Sequence, residues 1–115
     1  MSSEIVKKWN VVANQLKAQF GKRPKLDAVL FLIGMRELGI AKREFTKEEK
    51  VDLIHIATCR VLSLSGYYEL EGQDPDGWPH WKKVKELPYV DIFQQEVFLK
   101  QHVIEYFEQE NLIEN

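Results

Sequence analysis

The sequence predicts an all-α, mainly helical fold: a four-helix bundle-like single domain over residues 1–115, with a Trp/Pro-rich loop or short β-hairpin between the third and fourth helices. Three observations predict it. Apolar residues recur at helical spacing through most of the chain. A length of 115 residues suits one domain that buries its own core without a disulfide or metal. The residues that break the helical pattern collect in EGQDPDGWPHWKKVKELP at 71–88, which holds three of the four prolines and two of the three tryptophans.

The first helix is expected at about 3–20, where Ile5, Trp9, Val12, Leu16 and Phe20 keep the helical period. Ser2 or Ser3 can cap it, and Gly21 can end it in a left-handed conformation. The second helix is expected at about 24–38, opening at Pro24, whose fixed φ suits a first turn, and stopping at Gly39. Its AVLFLIG centre is apolar on all sides, so it should be central; Gly34 in mid-helix predicts the close approach of a neighbouring backbone. The third helix, about 46–66, starts at the capping box Thr46-Lys47-Glu48-Glu49, with Phe45 placed to staple onto the first turn. Val51, Leu53, Ile56, Val61 and Leu64 spread over a wide apolar arc. The fourth helix, about 89–111, follows Pro88 and is expected to bury Ile92, Phe93, Val97, Leu99, Val103, Ile104 and Phe107. Short links imply antiparallel neighbours.

The excursion at 67–88 carries a turn signal, Asp74-Pro75-Asp76-Gly77. GYYELEGQ before it and WPHWKKV after it alternate in polarity, which suits a hairpin with DPDG at its tip and Pro79 on an edge strand. The competing arrangement is an irregular loop whose tryptophans fold back over the core. Both pin the segment, because each tryptophan has roughly 150–250 Å² to bury.

The net charge of −2 selects no charged partner. It is unevenly placed: residues 1–25 hold six Lys/Arg against one Glu, and residues 86–115 hold one Lys against seven acids. Mutual attraction of the first and last helices accounts for that. Lys82, Lys83 and Lys85 beside Trp78 and Trp81 resemble a single-strand nucleic-acid platform in composition. Three lysines near an acidic helix are too few, and the balance argues against a nucleic-acid partner. The single cysteine, Cys59, excludes an internal disulfide and favours a reducing compartment. The longest apolar run, AVLFLI at 28–33, is too short to span a membrane, and the N-terminus lacks a signal-peptide core. The expectation is a soluble cytoplasmic protein without a membrane partner.

Two residue sets are candidates for function. Asp52, His55 and Cys59 share one face of the third helix, a spacing at which His and Cys can chelate a soft metal and Asp can orient the imidazole; His102 of the fourth helix is a further potential ligand. A bland account is two partly buried residues at a helix seam. Cys59 as a nucleophile fares worse, since mid-helix amides are already used and offer no oxyanion hole. DPDG fails as a calcium loop, having Trp78 and Lys85 where ligands belong. The second set is Tyr67, Tyr68, Trp78, His80 and Trp81, aromatic types that dominate protein interfaces. Their competing role is to cover the core. Phe98, off the buried arc of the fourth helix, would favour dimerisation if exposed.

No catalytic constellation emerges and no cofactor is implied. The reading is a non-catalytic protein-interaction or self-associating module, a homodimer included, working through the 67–81 aromatic segment. The alternative is a small metal- or ligand-binding protein using Asp52, His55 and Cys59 with His102.

Overall fold

The computed structural model describes residues 3–39 and 44–113. Along the chain lie α1 (Ser3–Phe20), α2 (Leu26–Leu38), α3 (Lys47–Ser63), β1 (Tyr68–Gln73), β2 (Pro79–Lys83) and α4 (Ile92–Gln109). Two compact units contain them. One is built from residues up to Leu26 together with those from Pro88 onward; the other is Asp27–Leu87.

The expected all-α four-helix bundle is therefore corrected. A two-stranded antiparallel sheet stands beside the helices, and the helices fall pairwise into two units instead of one four-helix bundle. Side-chain alternation around a strong turn decides for the sheet: period-2 polarity cannot bury one face of a helix, but suits a hairpin lying on one.

In the first unit α1 packs on α4. Trp9, Val12, Ala13 and Leu16 are buried on α1, and Leu99, Val103, Tyr106 and Phe107 on α4. The opposite charges of these helices meet where Lys8 Nζ lies 3.5 Å from Glu108. Gln15 donates to the Leu112 carbonyl, and Arg23 donates to Asn10. The cap expected at Ser2 lies outside the described residues. Gly21 takes a positive φ of 76°, as the chain reversal requires. Pro24 stands before α2, not in its first turn.

The start of α4 departs from its expected role. Asp91 caps the helix, accepting from the Gln94 amide at 2.8 Å, so the helix begins at Ile92 and not at Tyr89. Ile92 and Phe93, expected in the buried arc, are 81% and 82% exposed. Helical periodicity shows that two residues share a face; it does not say how far along that face the neighbouring helix reaches.

In the second unit, Gly34 of α2 meets the backbone of α3. A β-carbon built on Gly34 would overlap the Leu53 carbonyl oxygen and lie 2.8 Å from its carbonyl carbon. Thr46 and Glu49 form the capping box reciprocally, at 3.1 and 2.9 Å. Phe45 sets its ring edge-on to Phe31 of α2, with centroids 5.7 Å apart. Val51, expected in the apolar arc of α3, is 60% exposed. The helix closes with the Tyr67 amide donating to the Leu62 carbonyl at 3.2 Å.

The hairpin pairs Tyr68 with Lys83, Glu69 with Lys82 and Leu70 with Trp81; after a bulge at Glu71, Gly72 pairs with His80 and Gln73 with Pro79. Pro79 opens β2, where its missing N–H costs no ladder bond. At the tip the Gly77 amide donates to the Asp74 carbonyl at 2.9 Å, and Gly77 adopts φ 85°. That is a three-residue loop ending in a left-handed residue.

Candidate functional site

α3 and the hairpin pack against each other and leave a cleft of about 260 Å³. α3 contributes Asp52, His55 and Ile56 to it. The hairpin contributes Asp74, Trp78, Pro79, His80 and Trp81. Asp52 and His55 are three positions apart on one helix face, so both point the same way. The three-residue loop turns the chain so that Trp78 leads directly into β2.

Asp74 organises the hairpin end of the cleft. Its Oδ1 accepts from the amides of Asp76 and Trp78, both at 3.0 Å. Its Oδ2 accepts from His80 Nε2 at 3.1 Å. The His80 hydrogen bond and then the Trp78 amide hold the carboxyl below the usual carboxylate range, so it is ionised near neutral pH. Asp52 is exposed and has no hydrogen bond or ion pair among the described residues. Among the described residues the cleft thus carries two carboxylates and no Lys or Arg.

The tryptophans supply ring surface. Trp81 is half-buried, and its indole N–H is closed off without an acceptor among the described residues. What it offers the cleft is carbon and π density, not a hydrogen-bond donor. Trp78 is half-buried and His80 exposed. Tyr67 and Tyr68 are half-buried at the other end of the hairpin. The Tyr67 ring already carries an ammonium, Lys85 Nζ, 4.3 Å from its centroid. Lys85 also donates to the Ser65 carbonyl at 3.0 Å, which fixes it there.

The residues of the third-helix set separate. Asp52 and His55 line the cleft, whereas Cys59 is wholly buried, with its sulfur 3.6 Å from His55 Nε2. Burial pushes the Cys59 thiol up to about 11, so it stays protonated at neutral pH, opposite to what a nucleophile or metal ligand requires. His102 belongs to the other unit, where it is buried, shares a 2.8 Å hydrogen bond with the Phe98 carbonyl and stacks near the Phe98 ring at 4.4 Å. Among the described residues, no three His, Cys, Asp or Glu side chains form a group that could hold a metal. No described helix is long and apolar enough to cross a membrane.

One surface was missed by the sequence reading. At the start of α4, Val90, Ile92 and Phe93 are all more than 80% exposed. Beside them runs a groove of about 410 Å³, lined by Tyr89, Gln94, Val97, Phe98 and Gln101 among others. Phe98, which would favour dimerisation if exposed, is half-buried with its ring 5.8 Å from Tyr89. No local signal marks this surface: Ile92 and Phe93 keep the same helical period as the buried Leu99 and Val103. This groove holds no charged side chain, and so nothing that selects one partner chemistry over another.

No protein-family model matches the chain, and no curated protein or solved structure matches it significantly.

Proposed function

We propose that this protein is a non-catalytic protein-interaction module whose recognition surface is the hairpin together with the α3 face beneath it. The observation that carries the reading is the cleft itself, where Trp78 and Trp81 converge with Asp52 and Asp74 on one concave surface. Tryptophans seated at the edge of a rigid scaffold are the commonest anchors of protein recognition. The hairpin is tied to α3 and to its own turn, so little conformational entropy remains to be lost on binding. The one thiol is buried and protonated, and it supplies no nucleophile.

The test is selection of a random peptide library on the folded protein, with counter-selection on a Trp78→Ala variant shown to fold by circular dichroism. Peptides that enrich on the wild type and fail on the variant support the reading. Equal recovery on both proteins, or no enrichment at all, overturns it.

A further inference from the structure

Resting on that reading, the geometry points to a specific occupant: the cleft between α3 and the hairpin receives the cationic end of a lysine or arginine side chain carried by the partner polypeptide.

Charge comes first. Asp52 and Asp74 line the cleft, and no Lys or Arg among the described residues does. The Asp74 carboxyl is held ionised by its own hydrogen bonds, and Asp52 has no partner among the described residues. An anionic ligand would meet two like charges and few donors, since the Trp81 N–H is shut away and His80 Nε2 is committed to Asp74. A neutral apolar ligand would have to strip water from both carboxylates without replacing it, an expensive exchange. A cation satisfies both.

The rings point the same way. Among aromatic rings an indole face attracts a cation most strongly, and more so where water is thinned out. The hairpin already does this once internally, with Lys85 over Tyr67. Neither Trp78 nor Trp81 has a cation over its ring among the described residues. Lys83, two residues beyond Trp81 in β2, lies 3.8 Å from Glu86.

Size selects a side chain over a whole metabolite. Pockets that enclose a small molecule run from about 300 Å³ upward. At about 260 Å³ the cleft falls just short, yet it holds an alkyl stem with one charged head. The apolar walls, Ile56 and Pro79, suit that stem.

The experiment is a two-dimensional NMR titration reading the indole N–H signals of the intact protein. Trp9, in the other unit, serves as internal reference. The probes are capped five-residue peptides, glycine apart from a central lysine, arginine, norleucine or glutamate, together with tetramethylammonium chloride as a free cation. The expected result is saturable movement of the Trp78 and Trp81 signals with the lysine and arginine peptides. Norleucine and glutamate should leave them in place, and Trp9 should not move. Asp52→Asn should weaken lysine-peptide binding about three- to tenfold with an unchanged melting temperature, as expected for an exposed, unpaired carboxylate facing a half-desolvated cation. Norleucine binding as well as lysine, or Asp52→Asn without effect, overturns the cation assignment. Tetramethylammonium binding as tightly as the peptides overturns the polypeptide source. If the library selection succeeds with peptides lacking Lys and Arg, the interaction reading survives and only this inference falls.

Discussion

Gly34 shows how one missing atom fixes the contact between α2 and α3. A glycine costs about 1 kcal/mol against alanine in a helix interior, so an alanine there would ordinarily stabilise. Here the added β-carbon runs into the Leu53 carbonyl, which is backbone and cannot swing aside. Overpacking of this kind costs about 2–3 kcal/mol, which outweighs the propensity gain. Gly34→Ala is expected to lose about 1–2 kcal/mol of stability by urea unfolding; a stabilised variant would mean that the two helices separate easily. Cys59 shows the same dependence on surroundings. The sequence places it at metal-binding distance from His55, and the structure keeps that distance while burying the sulfur, so spacing was legible and reactivity was not.

At the scale of elements, the hairpin depends on a single carboxylate. Asp74 is bonded to two amides and an imidazole, and its folded-state pKa lies below its unfolded value. A depressed carboxyl stabilises above its unfolded pKa, and the contribution disappears as pH falls through the folded one. Acidification below about pH 4 should therefore loosen the hairpin, read as loss of dispersion in the indole N–H signals of Trp78 and Trp81. Asp74→Asn, which has no charge to lose, should show a smaller change over that range. Parallel acid profiles in the two proteins would remove Asp74 from this role. The first turn of α4 behaves oppositely. Ile92 and Phe93 are so exposed that replacing either with serine should move stability by less than about 0.5 kcal/mol, despite their apolar character. A loss above 2 kcal/mol on thermal unfolding would show them to be covered in solution. Nothing in local sequence distinguishes them from Leu99 or Val103, because the helical period is the same and only the reach of α1 differs.

Across the whole molecule, the sequence made the four helices, the capping box and the Gly34 approach legible, since each rests on local rules. Their grouping was not legible. The basic first helix and acidic last helix do pack together, as their charges suggest, but the two central helices belong to another unit with the hairpin. Which apolar faces meet is a long-range choice that periodicity alone does not encode. For the cleft, the sequence supplied its two halves separately: Asp52 and His55 as a helix face, Trp78, His80 and Trp81 as an aromatic run. Joining them needed the bulge and the packing of the hairpin on α3. The charge pairing of α1 with α4 carries its own prediction. Its ion pair, Lys8 with Glu108, is exposed, and salt screens such a pair. Raising sodium chloride from about 0.05 to 0.5 M should lower the melting temperature by only about 1–3 °C. A drop several times larger would show that charge, not the buried apolar seam, holds α1 to α4.

The order of segments also sets an order of events. Residues Asp27–Leu87 lie between the two stretches that make up the other unit. A ribosome makes all of the nested unit before the residues from Pro88 onward exist. The inner unit therefore has all of its segments before the outer one does. The helix Ser3–Phe20 must wait, its apolar stripe of Trp9, Val12 and Leu16 without the helix it packs on, until the distant segment is translated. The longest exposure of an unpartnered apolar stripe thus falls on Ser3–Phe20, and it lengthens with every pause of the ribosome between Asp27 and Gln109.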